Sequence, residues 1–290
     1  MIKKKILGYI KELRPRAWTK NLFIFGAILF ANKFTDKDLI LINVIGFFIF
    51  CFLSGAVYLL NDIFDAELDK LDPNKRKRPI ASGTISKTGA FVFWIILSAG
   101  SLIAAWVLNQ NFFIIAIVYF CINICYSTYL KRLALVDVMI ISIGFVLRAL
   151  AGAIIIHSAP SHWFLVTTFF LALLLACSKR RYEYIFFKQH AAHEKKKVLN
   201  DYSEMLLDQL IVISATGALL SYSLYTITGN IEHKLIYTIP FVVYGIFRYL
   251  YIVYKKGEGG DPDKILLNDG HILGTVSLFG ITVAILFIYF

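Results

Sequence analysis

Three aspartates, Asp62, Asp65 and Asp69, recur three and four residues apart in the segment 61–83, which reads NDIFDAELDKLDPNKRKRPIASG. At about 100° per residue, a helix continuing through them would gather their carboxylates into one narrow arc. Carboxylates held that close repel and raise one another's pKa unless a cation joins them. Hard divalent ions such as Mg²⁺ accept a few carboxylates together with substrate phosphates. The expected chemistry is metal-assisted handling of a diphosphate, with Asp62, Asp65 and Asp69 as catalytic metal ligands and Asn61 orienting them. Lys75, Arg76, Lys77 and Arg78 follow. Arg78 is the best placed to grip phosphate oxygens with its fork, because Pro79 and the Ser82-Gly83 turn set its direction, and Lys75 is a second candidate. The plainer reading is a solvated helix end whose acids balance Lys70 and Lys75. It is disfavoured because Asn61 and Asp62 begin inside an apolar run.

That run, residues 39–60, is long enough to cross a bilayer. An Asp or Lys drawn toward the centre of the hydrocarbon costs about 2.5–3.5 kcal/mol, so the charged segment reads as a polar site at a membrane surface. Composition agrees: of 290 residues 58% are hydrophobic and only 17% charged, which marks a polytopic membrane protein. Nine apolar stretches are expected to span, at 18–31, 39–60, 88–108, 112–130, 135–157, 163–178, 209–228, 235–254 and 272–290, the first of them short. The fold class is therefore an all-α membrane bundle, read as a single domain over 1–290.

The net charge of +11 does not point to nucleic acid, because its distribution follows topology. Twenty-five of the 30 basic residues fall in the N-terminal arm and the loops on its side of the membrane, leaving Lys33, Lys37 and Lys234 opposite and Arg148 and Arg248 inside stretches. The N-terminus is expected in the cytoplasm of a cell-membrane protein and the C-terminus outside. Residues 1–21 are basic and interrupted by Pro15 before any apolar run, so a cleavable leader is not expected. Cys51, Cys121, Cys125 and Cys177 lie in apolar stretches without metal-ligand spacing and read as packing residues, with neither disulfide nor zinc expected.

Polar clusters recur where alternate stretches end. After the second comes the acidic segment; after the fourth come Tyr126, Ser127, Lys131, Arg132 and Asp137; after the sixth comes SKRRYEY at 178–184, with Lys179 and Arg180. Three clusters on one face would enclose a central cavity open to the cytoplasm. Lys20 and Asn21 open the first stretch, and Arg148 is an intramembrane cation, hence a suspect for function or for an ion pair within the bundle. Gly257, Gly259 and Gly260 lack the Lys-Ser/Thr ending of a phosphate loop and read as a flexible connection.

Asn61-Asp62-x-x-Asp65-x-x-x-Asp69, followed by Lys-Arg-x-Arg-Pro-x-x-Ser-Gly, closely resembles the first motif of the UbiA superfamily of intramembrane transferases. The resemblance covers essentially the whole chain and implies nine transmembrane helices. Members usually carry a second Asp-rich motif after the fourth helix, whereas YSTYLKRLALVD here offers only Asp137. In RPRAWTKN, YSxxLK and KRRYE the chain looks like the branch in which a lipid phosphate is the acceptor. That resemblance implies transfer of 5-phosphoribosyl from phosphoribosyl diphosphate (PRPP) to a polyprenyl phosphate, with release of diphosphate and Mg²⁺ as cofactor. On it, substrate phosphates and sugar fall to Lys20, Asn61, Lys75, Arg78, Tyr126, Lys131, Arg148, Lys179 and Arg180, with Asp137 as a supporting carboxylate or metal ligand. A prenyltransferase acting on an aromatic or haem acceptor, and a transporter, remain as alternatives. The partners are the bilayer and these two substrates, with room for a homo-oligomer.

Overall fold

A computed structural model describes residues 2–71, 75–190, 197–228 and 234–289; the basic loop positions Lys195 and Lys196 counted above lie outside them. Among the described residues the chain is all helical. It divides into two compact units, one of residues 1–128 with 147–158 and the other of 129–146 with 159–290.

The first unit begins with the amphipathic helix α1 (Ile2–Glu12), a 3₁₀ segment (Pro15–Phe23) and α2 (Ile24–Phe30). The long helix α3 (Lys37–Phe64) starts where the Asp36 carboxylate accepts the amides of Asp38 and Leu39 at 3.0 and 3.2 Å, a side-chain N-cap. The short α4 (Ala66–Leu71) follows it, and α3 packs on α5 (Lys87–Leu108) and α6 (Gln110–Thr128). Phe50, fully buried on α3, meets the rings of Phe112 and Tyr119 at 5.4 and 5.3 Å. Helix α7 (Val136–Ile155) gives its second half to this unit. There a Cβ on Gly152 would lie 2.0 Å from the carbonyl oxygen of Ile24, so glycine is what lets the two backbones touch.

The second unit pairs α8 (His162–His190) with α9 (Glu204–Thr228), and α10 (Ile239–Lys255) with α12 (Gly270–Tyr289), beside the short α11 (Pro262–Asn268). Leu174, Cys177, Ile211, Ala218, Tyr249 and Ile252 form its apolar core. The glycine-rich connection is packed rather than loose: a Cβ on Gly259 would lie 3.0 Å from the Ser178 carbonyl, and one on Gly260 would enter the Tyr182 ring.

Among the described residues eight helices are long and apolar enough to cross a membrane, not the nine expected. The first expected stretch, 18–31, is instead split between the 3₁₀ segment and α2. At about 2.0 Å per residue for 3₁₀ and about 1.5 Å for α-helix, these two pieces laid end to end reach about 28 Å, near the hydrocarbon thickness, with fewer residues than a regular span. Large apolar side chains such as Ile96, Val107, Leu220 and Phe247 stay exposed along the other spans, as lipid-facing positions do. The chain is a multi-pass membrane protein. Its cluster at 178–184 lies within α8 rather than after a span, because Lys, Arg and Glu are good helix formers and the helix runs on past its apolar part.

Candidate active site

The aspartate-rich segment is not one continuous helix. Helix α3 ends at Phe64, Asp65 turns out of it as the C-cap, and α4 resumes at Ala66. The amide of Asp65 still reaches the Asn61 carbonyl at 2.9 Å and that of Asp69 the Asp65 carbonyl at 2.8 Å, so helical spacing survives the bend. Asp62 and Asp69 are consequently both buried, 2% and 3% exposed, and they converge on one atom. Arg78 Nη1 stands 2.9 Å from Asp62 Oδ1 and 2.6 Å from Asp69 Oδ2. The turn expected to aim Arg78 is present: Ser82 N donates to the Arg78 carbonyl at 2.8 Å, Ile85 N to that of Pro79 at 3.1 Å, and Gly83 takes φ +74°.

Two residues from the N-terminal arm complete the cluster. Arg14 Nη2 holds both oxygens of Asp62, at 2.6 and 2.7 Å, and its guanidinium lies over the Tyr58 ring. It does so from a left-handed backbone, φ 48° and ψ 63°, a conformation that costs a non-glycine residue about 1–2 kcal/mol. Glu12, 1% exposed, accepts the Ile80 amide at 3.2 Å and sits against Asp62. Burial, then the hydrogen bond and charge of Asp62, push its carboxyl up to about 8. Burial likewise raises the Asp69 carboxyl above its ordinary value, against the pull of Arg78. Neither Glu12 nor Arg14 was singled out from sequence as a site residue, although Glu12 is the one carboxylate among the first 35 residues.

Arg148 is also buried, 5% exposed, and its Nε donates to Asn21 Oδ1 at 2.7 Å while Nη2 donates to the Tyr119 hydroxyl at 2.7 Å. Asn21 Nδ2 in turn lies 3.2 Å from both Cys51 Sγ and Ser54 Oγ. The half-buried Lys20 precedes it in the 3₁₀ segment, close enough to act electrostatically on Tyr119. Tyr126 and Lys75 are half-buried at the end of α6 and in the turn before Arg78.

In the second unit Asp137 is fully buried with both oxygens engaged: Arg180 Nε donates to Oδ2 at 2.6 Å and the Tyr202 hydroxyl to Oδ1 at 2.6 Å. Arg180 also holds Glu183, and Arg181 holds Asp208. Lys131 follows on a short 3₁₀ turn (Leu130–Arg132), and Lys179 precedes Arg180 on α8. Asp137 is thus clasped between protein groups. Tyr202 was not foreseen; it stands 65 residues from Asp137 with no motif joining them.

Among the described residues no three carboxylate, His or Cys side chains are gathered closely enough to ligate a metal by themselves. Asp62 and Asp69 nonetheless fit a hard divalent ion. They offer only oxygen donors, they already share one cationic atom, and the raised Asp69 carboxyl marks a site where more positive charge would be stabilising.

The profile of the UbiA prenyltransferase family matches residues 21–267. The chain is 31% identical over 283 residues to a decaprenyl-phosphate phosphoribosyltransferase of Mycolicibacterium smegmatis, covering 92% of this chain and 88% of that protein. It is 31% identical to the protein of that name from Corynebacterium glutamicum, with 96% and 86% covered. In fold it is similar to a UbiA homolog from Archaeoglobus fulgidus bound to GPP and Mg²⁺, with a TM-score of 0.72, 22% identity and 97% of each chain covered.

Proposed function

The chain belongs to the UbiA prenyltransferase family, and from that premise we propose that this membrane-embedded transferase moves 5-phosphoribosyl from PRPP to a polyprenyl phosphate, releasing diphosphate. The observation that carries the reading is the alignment over 92% of the chain with a protein named decaprenyl-phosphate phosphoribosyltransferase. The side chains support it independently. One acidic cluster is suited to a metal-bound diphosphate, while in the second polar cluster the one buried aspartate is already clasped by Arg180 and Tyr202 and offers no second acidic motif.

In this reaction the bond from C1 of the sugar to the diphosphate oxygen breaks, and one from C1 to a lipid phosphate oxygen forms. Positive charge builds on the ribosyl ring and negative charge on the leaving group. Asp62, Asp69 and Asp65 would hold Mg²⁺, which when bound neutralises charge on the departing diphosphate. Asn61 keeps the helix turn that presents Asp65, through its carbonyl. Arg78, Lys75 and Arg14 supply fixed positive charge beside those carboxylates, where the phosphate oxygens would lie. Lys20, Tyr126, Lys131, Lys179 and the Arg148 and Arg180 networks are assigned to binding or placing the remaining phosphate and sugar groups. The lipid phosphate is already ionised at neutral pH, so the attack needs no strong general base. The site is assigned to the cytoplasmic side, where the basic loops gather.

The test incubates purified protein with labelled PRPP, polyprenyl phosphate and Mg²⁺, and in parallel with prenyl diphosphate and an aromatic acid. Labelled lipid in the first mixture is expected. Product in the second mixture alone would overturn the assignment in favour of a prenyltransferase.

A further inference from the structure

The connection between α6 and α7 is strained at Leu135. This leucine adopts φ 67°, and the amide of Val136 donates to the carbonyl of Ala134 at 2.8 Å, which closes a three-residue turn of the unfavoured positive-φ type. Such a conformation persists only where its surroundings over-determine it. Beside the backbone bonds from Asp137 N to Leu133 O and Met139 N to Leu135 O, one hydroxyl ties the turn to another part of the chain: the Leu135 amide donates to the Tyr202 oxygen at 2.7 Å, and Tyr202 donates its own proton to Asp137 Oδ1 at 2.6 Å. Tyr202 is 4% exposed and sits with Val198, Leu199 and Leu207 in a small apolar cluster against which Ala134 packs. Burial, and then Asp137, raise its phenol above the usual tyrosine range, so it stays a donor at every physiological pH. Asp137 passes the constraint on to Arg180 of α8.

We infer that Tyr202 is a positioning residue for the reaction: by locking the Leu135 turn onto Asp137 and Arg180, it fixes the direction of the short segment that carries Lys131. Only three residues separate Lys131, on the turn Leu130–Arg132, from the strained leucine, so a change in the direction of the chain at Leu135 is felt at Lys131. A tyrosine hydroxyl suits the task because it accepts and donates at once. Phenylalanine would fill the same space, yet it would leave the Leu135 amide and one Asp137 oxygen without their partner.

The role of this clamp in substrate binding rests on the transferase reading above, so two measurements separate them. Amide hydrogen exchange on the full-length protein, without substrate, reads the clamp itself. Tyr202→Phe is expected to speed exchange at residues 130–137 at least tenfold while leaving α5 and α12 unchanged; equal rates in the two proteins would overturn the clamp. In the PRPP assay, Tyr202→Phe is expected to raise KM for the phosphorylated substrates about tenfold, with kcat changed less than threefold and the melting temperature within a few degrees. Loss of active protein at unchanged KM would reduce Tyr202 to a packing residue and overturn the positioning role. If the wild-type chain does not turn over PRPP, the exchange result still decides the clamp, and only the transferase reading falls.

Discussion

Arg14 holds both carboxylate oxygens of Asp62, at 2.6 and 2.7 Å, from 48 residues away in the chain. This buried carboxylate of the acidic cluster is therefore already neutralised by a side chain from the N-terminal arm, with Arg78 as its second counter-ion. A divalent ion arriving at Asp62 competes with both guanidinium groups.

Replacing one competitor follows directly. Arg14→Gln is expected to destabilise the metal-free protein by about 2 kcal/mol, less than the 3–5 typical of a broken buried pair, because Arg14 is 31% exposed and Arg78 remains. Added Mg²⁺ should then raise the melting temperature of the variant more than that of the wild type, since at a given concentration a tighter ligand stabilises the fold more, as the logarithm of its affinity. Equal shifts in thermal melts with and without Mg²⁺ would place the ion elsewhere.

Asp65 caps the bend between α3 and α4 and completes the acidic spacing. Asp65→Ala is expected to lose about 3 kcal/mol of transition-state stabilisation, roughly two orders of magnitude in kcat/KM, the scale of deleting one preorganised electrostatic group. Turnover kinetics at saturating Mg²⁺ check it, and a near-normal rate would remove Asp65 from the metal site.

Glu12 makes stability depend on pH in a direction opposite to an ordinary paired carboxylate. Its folded pKa is raised from 4.5 to about 8, so between those values the folded protein keeps a proton that the unfolded chain releases. Its contribution is complete below about pH 4.5 and is lost as the pH climbs through about 8. In Glu12→Gln, whose amide oxygen can still accept the Ile80 N–H, the fall in melting temperature across this window should be shallower than in the wild type when both are measured in chelator. Parallel slopes would show that Glu12 is ionised in the fold.

The contact of α7 with α2 offers a purely steric test. Gly152→Ala places a methyl group 2.0 Å from the Ile24 carbonyl oxygen, and the helices must separate to admit it. A cost of about 1–3 kcal/mol is expected, the range for overpacking a tight interior. Thermal melting in detergent measures it, and an unchanged midpoint would mean that the two backbones are less closely set.

What the sequence alone determined is what repeats locally. Membrane-length apolar runs, basic loops and aspartates spaced for one helical face each declare themselves within a few turns, because bilayer thickness, topology and helical period act over that range. Even the Asp62–Asp69 convergence survived a bend that spacing did not reveal. The tertiary structure decided the partners. Arg14 with Asp62, Tyr202 with Asp137, and Arg148 with Asn21 are 48, 65 and 127 residues apart, and no periodicity links them. The same is true of the 3₁₀ course of the first apolar stretch, where Arg148 draws the buried Asn21 into a polar network. A buried charge must find its counter-group wherever packing brings one within about 3 Å, and which helices pack together is a property of the whole chain rather than of any stretch of it.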